Sequence, residues 1–315
     1  SDVYKRQIYY SANHYKGSAD NGNVNEYRTT YEKMVTSTTA NYTGTFDKHT
    51  VGTMVGFEAE KNKTDYVRAT GSNLAVSTIH TVSTAGTQTS AGYSWGNSMV
   101  SVLSKLDYNY DERYFISGSY RRDGSSAFSY TGNQWQNFYS VGLGWLMSEE
   151  EWMKGIEWLD MLKLKGSWGT LGNQNLDRAY PAEPLLSNAY SAVFGTPSAI
   201  YPGYQLAYLP NPNLRWEKVE AWEVGAEANF FRNRLHFEGV YYKKKTKDLL
   251  AEVPGISGTV PGIGNLGSIE NLGVELALSW RDQIGDWNYN VGANLTTIKN
   301  LSLIHISEPT RRSYI

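Results

Sequence analysis

From Trp216 to Asn300 apolar and polar side chains alternate in runs of about ten to fifteen residues, separated by short polar turns. Trp222, Val224, Ala226, Ala228 and Phe230 share one face, and Glu223, Gly225, Glu227 and Asn229 the other. The next run sets Leu235, Phe237, Gly239 and Tyr241 against His236, Glu238 and Tyr242. Leu272, Val274, Leu276, Leu278 and Trp280 then oppose Gly273, Glu275, Ala277 and Ser279. Trp287, Tyr289, Val291, Ala293 and Leu295 oppose Asn288, Asn290, Gly292, Asn294 and Thr296. Successive side chains of a strand point to opposite faces, so each run is a ribbon with one oily and one wet side. The 3.6-residue period of an amphipathic helix is missing. Consecutive hairpins of this kind predict an all-β chain, an antiparallel transmembrane β-barrel.

The 315 residues would suffice for two ordinary domains or for one barrel. No run of about eighteen apolar residues occurs, which excludes transmembrane helices. A barrel tolerates the 40% hydrophobic content, because only alternate residues face lipid. Many of the 24 Tyr and 10 Trp fall near strand ends, where a barrel places its interfacial girdles, although both are also good strand residues anywhere. A net charge of -2 offers no basic footprint for nucleic acid. With no Cys, disulfides, thiol catalysis and thiolate metal sites are excluded.

Strands are expected over residues 8–15, 31–43, 49–60, 98–110, 113–122, 135–147, 161–170, 217–230, 234–247, 269–280 and 287–298. Residues 44–48, 111–112, 231–233 and 281–286 are short connections, whereas 61–97, 171–216 and 248–268 are long. Outer-membrane barrels are built in this way, with tight periplasmic turns and large extracellular loops. Residues 148–160 predict a capped helical turn on the short-turn side, with Ser148 as N-cap and Glu151 three residues later. The ends read differently. Residues 2–7 and 301–306 can be encoded by the two complementary strands of one DNA segment resembling a transposon-end sequencing adapter, and 307–311 resembles its continuation. Residues 1–7 and 301–315 are therefore expected to be adapter-derived, leaving 8–300 as part of a longer barrel.

Binding residues concentrate on loops held by rigid scaffolds. Tyr201, Tyr204 and Tyr208 in the 171–216 connection, with Tyr93 and Trp95 closing the 61–97 connection, are candidates for stacking on a ligand or for packing the loops. Arg121 and Arg122 precede Asp123-Gly124, which reads as a turn at a strand end, and Arg122 is a candidate for polar or anionic ligand groups. Glu223, Glu227, Glu238 and Glu275 lie on wet faces. Glycosidase chemistry needs two carboxylates about 5–10 Å apart across a sugar, but polar interiors are general in barrels and no cleft motif flanks these residues, so no catalytic residue is assigned. His14, His49, His80 and His236 lack the spacing of a zinc site, and the glycines at 262–267 form no dinucleotide fingerprint, so no metal or cofactor is expected. Lys243-Lys244-Lys245 reads as a solvated rim beside anionic lipid headgroups.

The strings YFISGSYRRDGSSAF (114–128), WQNFYSVGLGWLMSEEEWM (135–153), LKLKGSWGTLGNQ (162–174), NPNLRWEKVEAWEVGAEANFF (211–231), YYKKKTKDLL (241–250), GNLGSIENLGVEL (264–276) and WNYNVGANLTTIKN (287–300) together resemble the SusC/RagA family of TonB-dependent outer-membrane transporters from Bacteroidetes. The resemblance implies a plugged barrel of about 22 strands, of which about eleven are present. It also implies import of oligosaccharides or peptides, with a SusD-like surface lipoprotein as lid. Energy would come from TonB–ExbB–ExbD through an N-terminal plug. Residence in the outer membrane of a Gram-negative cell, against outer-membrane lipid, follows, and enzymatic activity does not. Competing readings are a siderophore or cobalamin receptor, a surface carbohydrate-binding or adhesin protein soluble without detergent, and a glycan hydrolase using Glu223 or Glu227. A partial barrel would leave two edges unpaired in lipid, at several kcal/mol per unsatisfied backbone group. Expressed alone, the chain is therefore expected to aggregate or fail to insert, and heat-modifiable, protease-resistant migration on gels would refute that.

Overall fold

A computed structural model describes residues 2–10, 21–76, 78–174, 176, 180–195, 199–253 and 261–303. Residues 11–15 of the first expected strand, His14 among them, and the tail from 304 onward lie outside the described residues. The strands are β1 (Asp2–Tyr10), β2 (Asn23–Phe46), β3 (His49–Leu74), β4 (Ala85–Tyr110), β5 (Tyr114–Ser125), β6 (Trp135–Leu146), β7 (Leu159–Asn173), β8 (Leu186–Phe194), β9 (Ala199–Leu206), β10 (Glu217–Phe230), β11 (Leu235–Lys247), β12 (Leu250–Val253), β13 (Gly262–Asn265), β14 (Ser268–Ile284) and β15 (Trp287–Leu303). Eleven of them form one sheet in the order β1-β2-β3-β4-β5-β6-β7-β10-β11-β14-β15, while β8-β9 and β12-β13 are separate two-stranded hairpins. Each expected strand has a counterpart, with β1 centred earlier than predicted. The 171–216 and 248–268 connections contain strands of their own, and the 61–97 connection is largely strand.

By its contacts the chain divides into residues 1–37 with 58–100, and 38–57 with 101–315. In the first unit β1 pairs with β2 from Asp2↔Tyr31 to Tyr10↔Asn23. Val24, Leu74 and Ala85 are buried there, with Tyr9 and Val82 packed against them. β3 and β4 run 26 residues each, more than twice the roughly 9–11 that cross a bilayer, so much of each strand is built for water.

In the second unit the register confirms the faces read from sequence. Trp222 pairs with Trp168 and Lys243, Val224 with Tyr241, Ala228 with Phe237, and Phe230 with Leu235. Leu276 faces Leu295, and Leu278 faces Ala293. This apolar face has no protein cover: Val224 is 64% exposed, Leu143 58% and Val291 66%. Leaving such side chains in water forfeits about 1.5–3 kcal/mol each, so the face is made for hydrocarbon. Aromatic rings bound it at both levels. Near the short turns Tyr114 stacks on Trp145 (6.4 Å), Trp158 on Phe230 (5.8 Å), and Phe231 meets Trp280 (6.3 Å). Six to ten residues further along the strands, Tyr120 meets Tyr139 (5.3 Å) and Trp168 meets Trp222 (5.9 Å). At about 3.3 Å per residue and a tilt near 40°, the rows lie roughly 15–25 Å apart, the height of a barrel's apolar band.

The short turns hold left-handed residues, with φ near +52° at Asp111, +53° at Glu112 and +60° at Asn233, as tight hairpins require. Residues 148–160 differ from expectation. They form no α-helix: a single 3-10 turn covers Met147–Glu149, its N-cap is Leu146 rather than Ser148, and further turns follow. Glu150 is diverted to the strands. It accepts hydrogen bonds from the Tyr114 hydroxyl and from Trp145 Nε1 (3.1 Å), and Arg113 Nη1 lies 3.7 Å away.

The opposite ends of the strands are closed by a clasp of three connections. Phe128 and Leu214 are fully buried, and Trp216 and Phe138 nearly so; Trp216 stacks on Phe128 at 5.1 Å. Trp216 Nε1 donates to the Asn133 carbonyl (3.1 Å), and Asn133 Nδ2 donates to the Leu214 carbonyl (3.1 Å). Asn265 Nδ2 donates to the carbonyls of Arg215 and Asp248 (2.8 Å each), and its Oδ1 accepts from the Arg215 amide (3.0 Å). At Gly262 a Cβ would collide with the Leu209 carbonyl, so this close approach needs glycine. Asp123-Gly124 makes no turn. β5 runs on through Ser125, which caps a 3-10 turn at Ser126–Phe128, because Gly124 still pairs with Trp135.

Two outcomes are expected. Trp216→Ala should cost about 3–5 kcal/mol in the clasp, seen as faster proteolysis of residues 126–134 and 207–216 with the sheet intact. The hydrogen bond from Tyr114, followed by that from Trp145, holds the Glu150 carboxyl below the ordinary carboxylate range. A depressed carboxyl stabilises above its unfolded pKa, and that contribution is lost as pH falls through the folded value. Amide protection factors over 147–158, which correct for the intrinsic slowing of exchange in acid, should fall on acidification in the parent, and Glu150→Gln should abolish that fall.

Candidate ligand-binding surfaces

The polar face of the second unit forms an open concavity lined by Lys163, Lys165, Glu223, Glu238, Tyr242 and Glu275, among others. The register sets Glu227 directly between Lys163 and Glu238, and Lys165 is ion-paired to Glu238. Like charges directly opposed across a ladder are destabilising, and the flanking lysines offset this. Glu238 is thus held by a lysine, and no group of His, Asp and Glu among the described residues could hold a metal. His49 approaches the Tyr108 hydroxyl (2.7 Å) and His236 approaches Asn229 Oδ1 (2.7 Å), each satisfied locally.

A second surface lies in the first unit. Tyr66 of β3 stacks on Tyr93 of β4 (4.8 Å, 24°) and meets Tyr27 of β2 (6.4 Å), a ladder of three rings across three strands. The Tyr31 hydroxyl donates to Asn62 Oδ1 (3.2 Å). Asn62 Nδ2 donates in turn to Glu60 (2.7 Å) and to Asn97 Oδ1 (3.0 Å), and Lys33 pairs with Glu60 (2.9 Å). The hydrogen bond from Asn62, then that from Lys33, lowers the Glu60 carboxyl from its ordinary range. Trp95 follows Tyr93 by two residues and therefore shares its face. Both are exposed. Flat rings beside fixed amides and a carboxylate can stack on the C–H face of a sugar or on a side chain and bond its polar groups.

The other sequence candidates are dispersed. Tyr201 and Tyr204 lie exposed on β9, whereas Tyr208 is buried and donates its hydroxyl to the Tyr180 carbonyl (2.8 Å). Arg122 extends over the Trp135 ring at 5.2 Å. Arg121 points to the opposite face, where its Nε meets both Asp123 oxygens (2.7 and 2.9 Å) and its Nη2 meets Ser101 Oγ (2.9 Å). Tyr27, Tyr31, Tyr66, Asn62 and Asn97 were not singled out by sequence. Tyr31 opens an expected strand, whereas Tyr27, Asn62, Tyr66 and Asn97 fall outside the expected strands and carry no signal beyond their residue type.

The family described as TonB dependent receptor-like, beta-barrel matches residues 2–310. The TonB-dependent receptor SusC of Bacteroides thetaiotaomicron is 34% identical over 221 residues, covering 67% of this chain and 22% of that protein. A TonB-dependent receptor of Formosa agariphila is 30% identical over 274 residues, covering 82% of this chain and 25% of its own length. A structure of the RagAB peptide transporter aligns with a TM-score of 0.80 at 26% identity, over 90% of this chain and 32% of that one. The chain thus spans about a quarter of the curated relatives it matches. Its eleven-stranded antiparallel sheet is a partial barrel of the same kind. The chain belongs to the family of TonB-dependent receptor β-barrels.

Proposed function

We propose that these residues form part of the barrel of a SusC-like importer in the outer membrane of a Bacteroidetes-type cell, carrying oligosaccharide nutrients. The observation that supports a saccharide is the Tyr27–Tyr66–Tyr93 ladder, edged by Asn62, Asn97 and Glu60 and continued by Trp95. A SusD-like lipoprotein would serve as lid, and TonB–ExbB–ExbD would act through a plug on another part of the receptor. The barrel residues bind and guide, and break no bonds. Oligopeptide cargo is the second reading. It is favoured by the 26% identity and 0.80 TM-score to a protein described as a peptide transporter, and tyrosine rings also accept peptide side chains. Tyr201, Tyr204 and Arg122 would contribute from separate patches.

The test uses the complete receptor and measures calorimetric affinity and uptake for defined oligosaccharide and oligopeptide panels. Tyr66→Ala with Tyr93→Ala should weaken the saccharide ligand by about tenfold or more, roughly 1.4 kcal/mol. Saccharide binding indifferent to both substitutions, with peptide uptake intact, would transfer the assignment to peptides.

A further inference from the structure

We propose that the rim of β10, β11, β14 and β15 above the upper aromatic row binds the phosphate groups of outer-leaflet lipid headgroups through lysines on its outward face. This rests on the outer-membrane reading above. Register alone assembles the site. One row runs Trp222↔Lys243↔Leu272↔Lys299, the next Glu220↔Lys245↔Glu270, and a third opposes Lys218 directly to Lys247. These positions share the face of Trp222, Val224 and Tyr241, so the hydrocarbon face becomes a cationic one within a residue or two of its boundary. Five ammonium groups meet two carboxylates there.

The carboxylates position rather than neutralise. Glu270 pairs with Lys243 (3.0 Å), and Glu220 pairs with Lys247 (2.7 Å) while accepting from Trp168 Nε1 (3.2 Å). Lys218, Lys245 and Lys299 make no ion pair among the described residues, and Lys299 is exposed. Adjacent strands lie about 4.8 Å apart and alternate residues about 6.6 Å, which gathers Lys243, Lys245 and Lys299 within roughly 12 Å, the reach of one phosphorylated sugar headgroup. Opposed lysines repel unless an anion lies between them. Lysine stems can lie along the apolar boundary with the ammonium at headgroup level, where it attracts an anionic lipid surface.

The experiment takes the complete receptor, delipidated in detergent, and measures by native mass spectrometry its occupancy by diphosphorylated lipid A, dephosphorylated lipid A and inorganic phosphate. The parent should retain the diphosphorylated lipid preferentially. The variant Lys243→Gln/Lys245→Gln/Lys299→Gln should lose about tenfold in that retention, and the matching Lys→Arg variant should recover it. Equal retention by parent and Gln variant, or equal binding of the dephosphorylated lipid, overturns the proposal. Displacement of lipid by inorganic phosphate at equal concentration would make it a free-anion site and overturns the lipid assignment. Heat-modifiable migration of the variants verifies folding. A parent receptor missing from the outer-membrane fraction would defeat the importer reading instead.

Discussion

Hydrocarbon offers no partner for a backbone N–H or C=O, and that one constraint organises this chain. A strand can cross it only with neighbours on both sides, which is why eleven strands pair in one sheet, with local hairpins or longer connections joining them. Once the backbone is satisfied by pairing, no buried core is needed in the spanning part. Side chains divide between lipid and the polar face, one residue each, so the average composition stays polar although Val224, Leu143 and Val291 have no protein covering them. Folding energy that a soluble domain draws from its interior comes here from the solvent on the apolar side.

This explains which parts were legible in sequence. In β10, β11, β14 and β15 a one-residue slip would expose every polar side chain to lipid, so the pattern and the tight turn at residues 231–234 together fix the register. Trp222 against Lys243 and Leu276 against Leu295 follow from that alone. Beyond the hydrocarbon the penalty disappears. β2, β3 and β4 continue through stretches such as NVNEYRTT and KNKTDYVR, which are polar on both faces and so read as connection. The hairpins β8-β9 and β12-β13 are too short or too irregular to show a period. The turn after β6 carried the chemistry of a helix cap, yet Glu150 finds Tyr114 and Trp145 on neighbouring strands, and tertiary hydrogen bonds outweigh a local cap.

The candidate site was half legible for a related reason. Tyr93 and Trp95 could be named because exposed aromatics suggest recognition, but their partners Tyr66 and Tyr27 are distant in sequence and meet them only through strand pairing. Tyr208 has the same one-dimensional signature as Tyr204, and only packing separates a buried anchor from an exposed ring. Asn133 and Asn265 carry no distinguishing signal in the sequence. Their amides instead cross between connections to bind carbonyls of Leu214, Arg215 and Asp248, a role that no local pattern encodes.

Those crossings bear on binding. A ligand captured by mobile loops must offset the entropy of ordering them, whereas one captured by preset groups need not. In the second unit Phe128, Leu214 and Trp216 fill the space between connections, and asparagine amides satisfy the backbone around them. In the first unit the tyrosine ladder stands on paired strands, and Asn62 is fixed by Tyr31, Glu60 and Asn97. Both arrangements hold their side chains on backbone that is already hydrogen-bonded. The strands that continue past the membrane therefore do more than carry loops: above the hydrocarbon they supply the rigidity that its absence would otherwise remove.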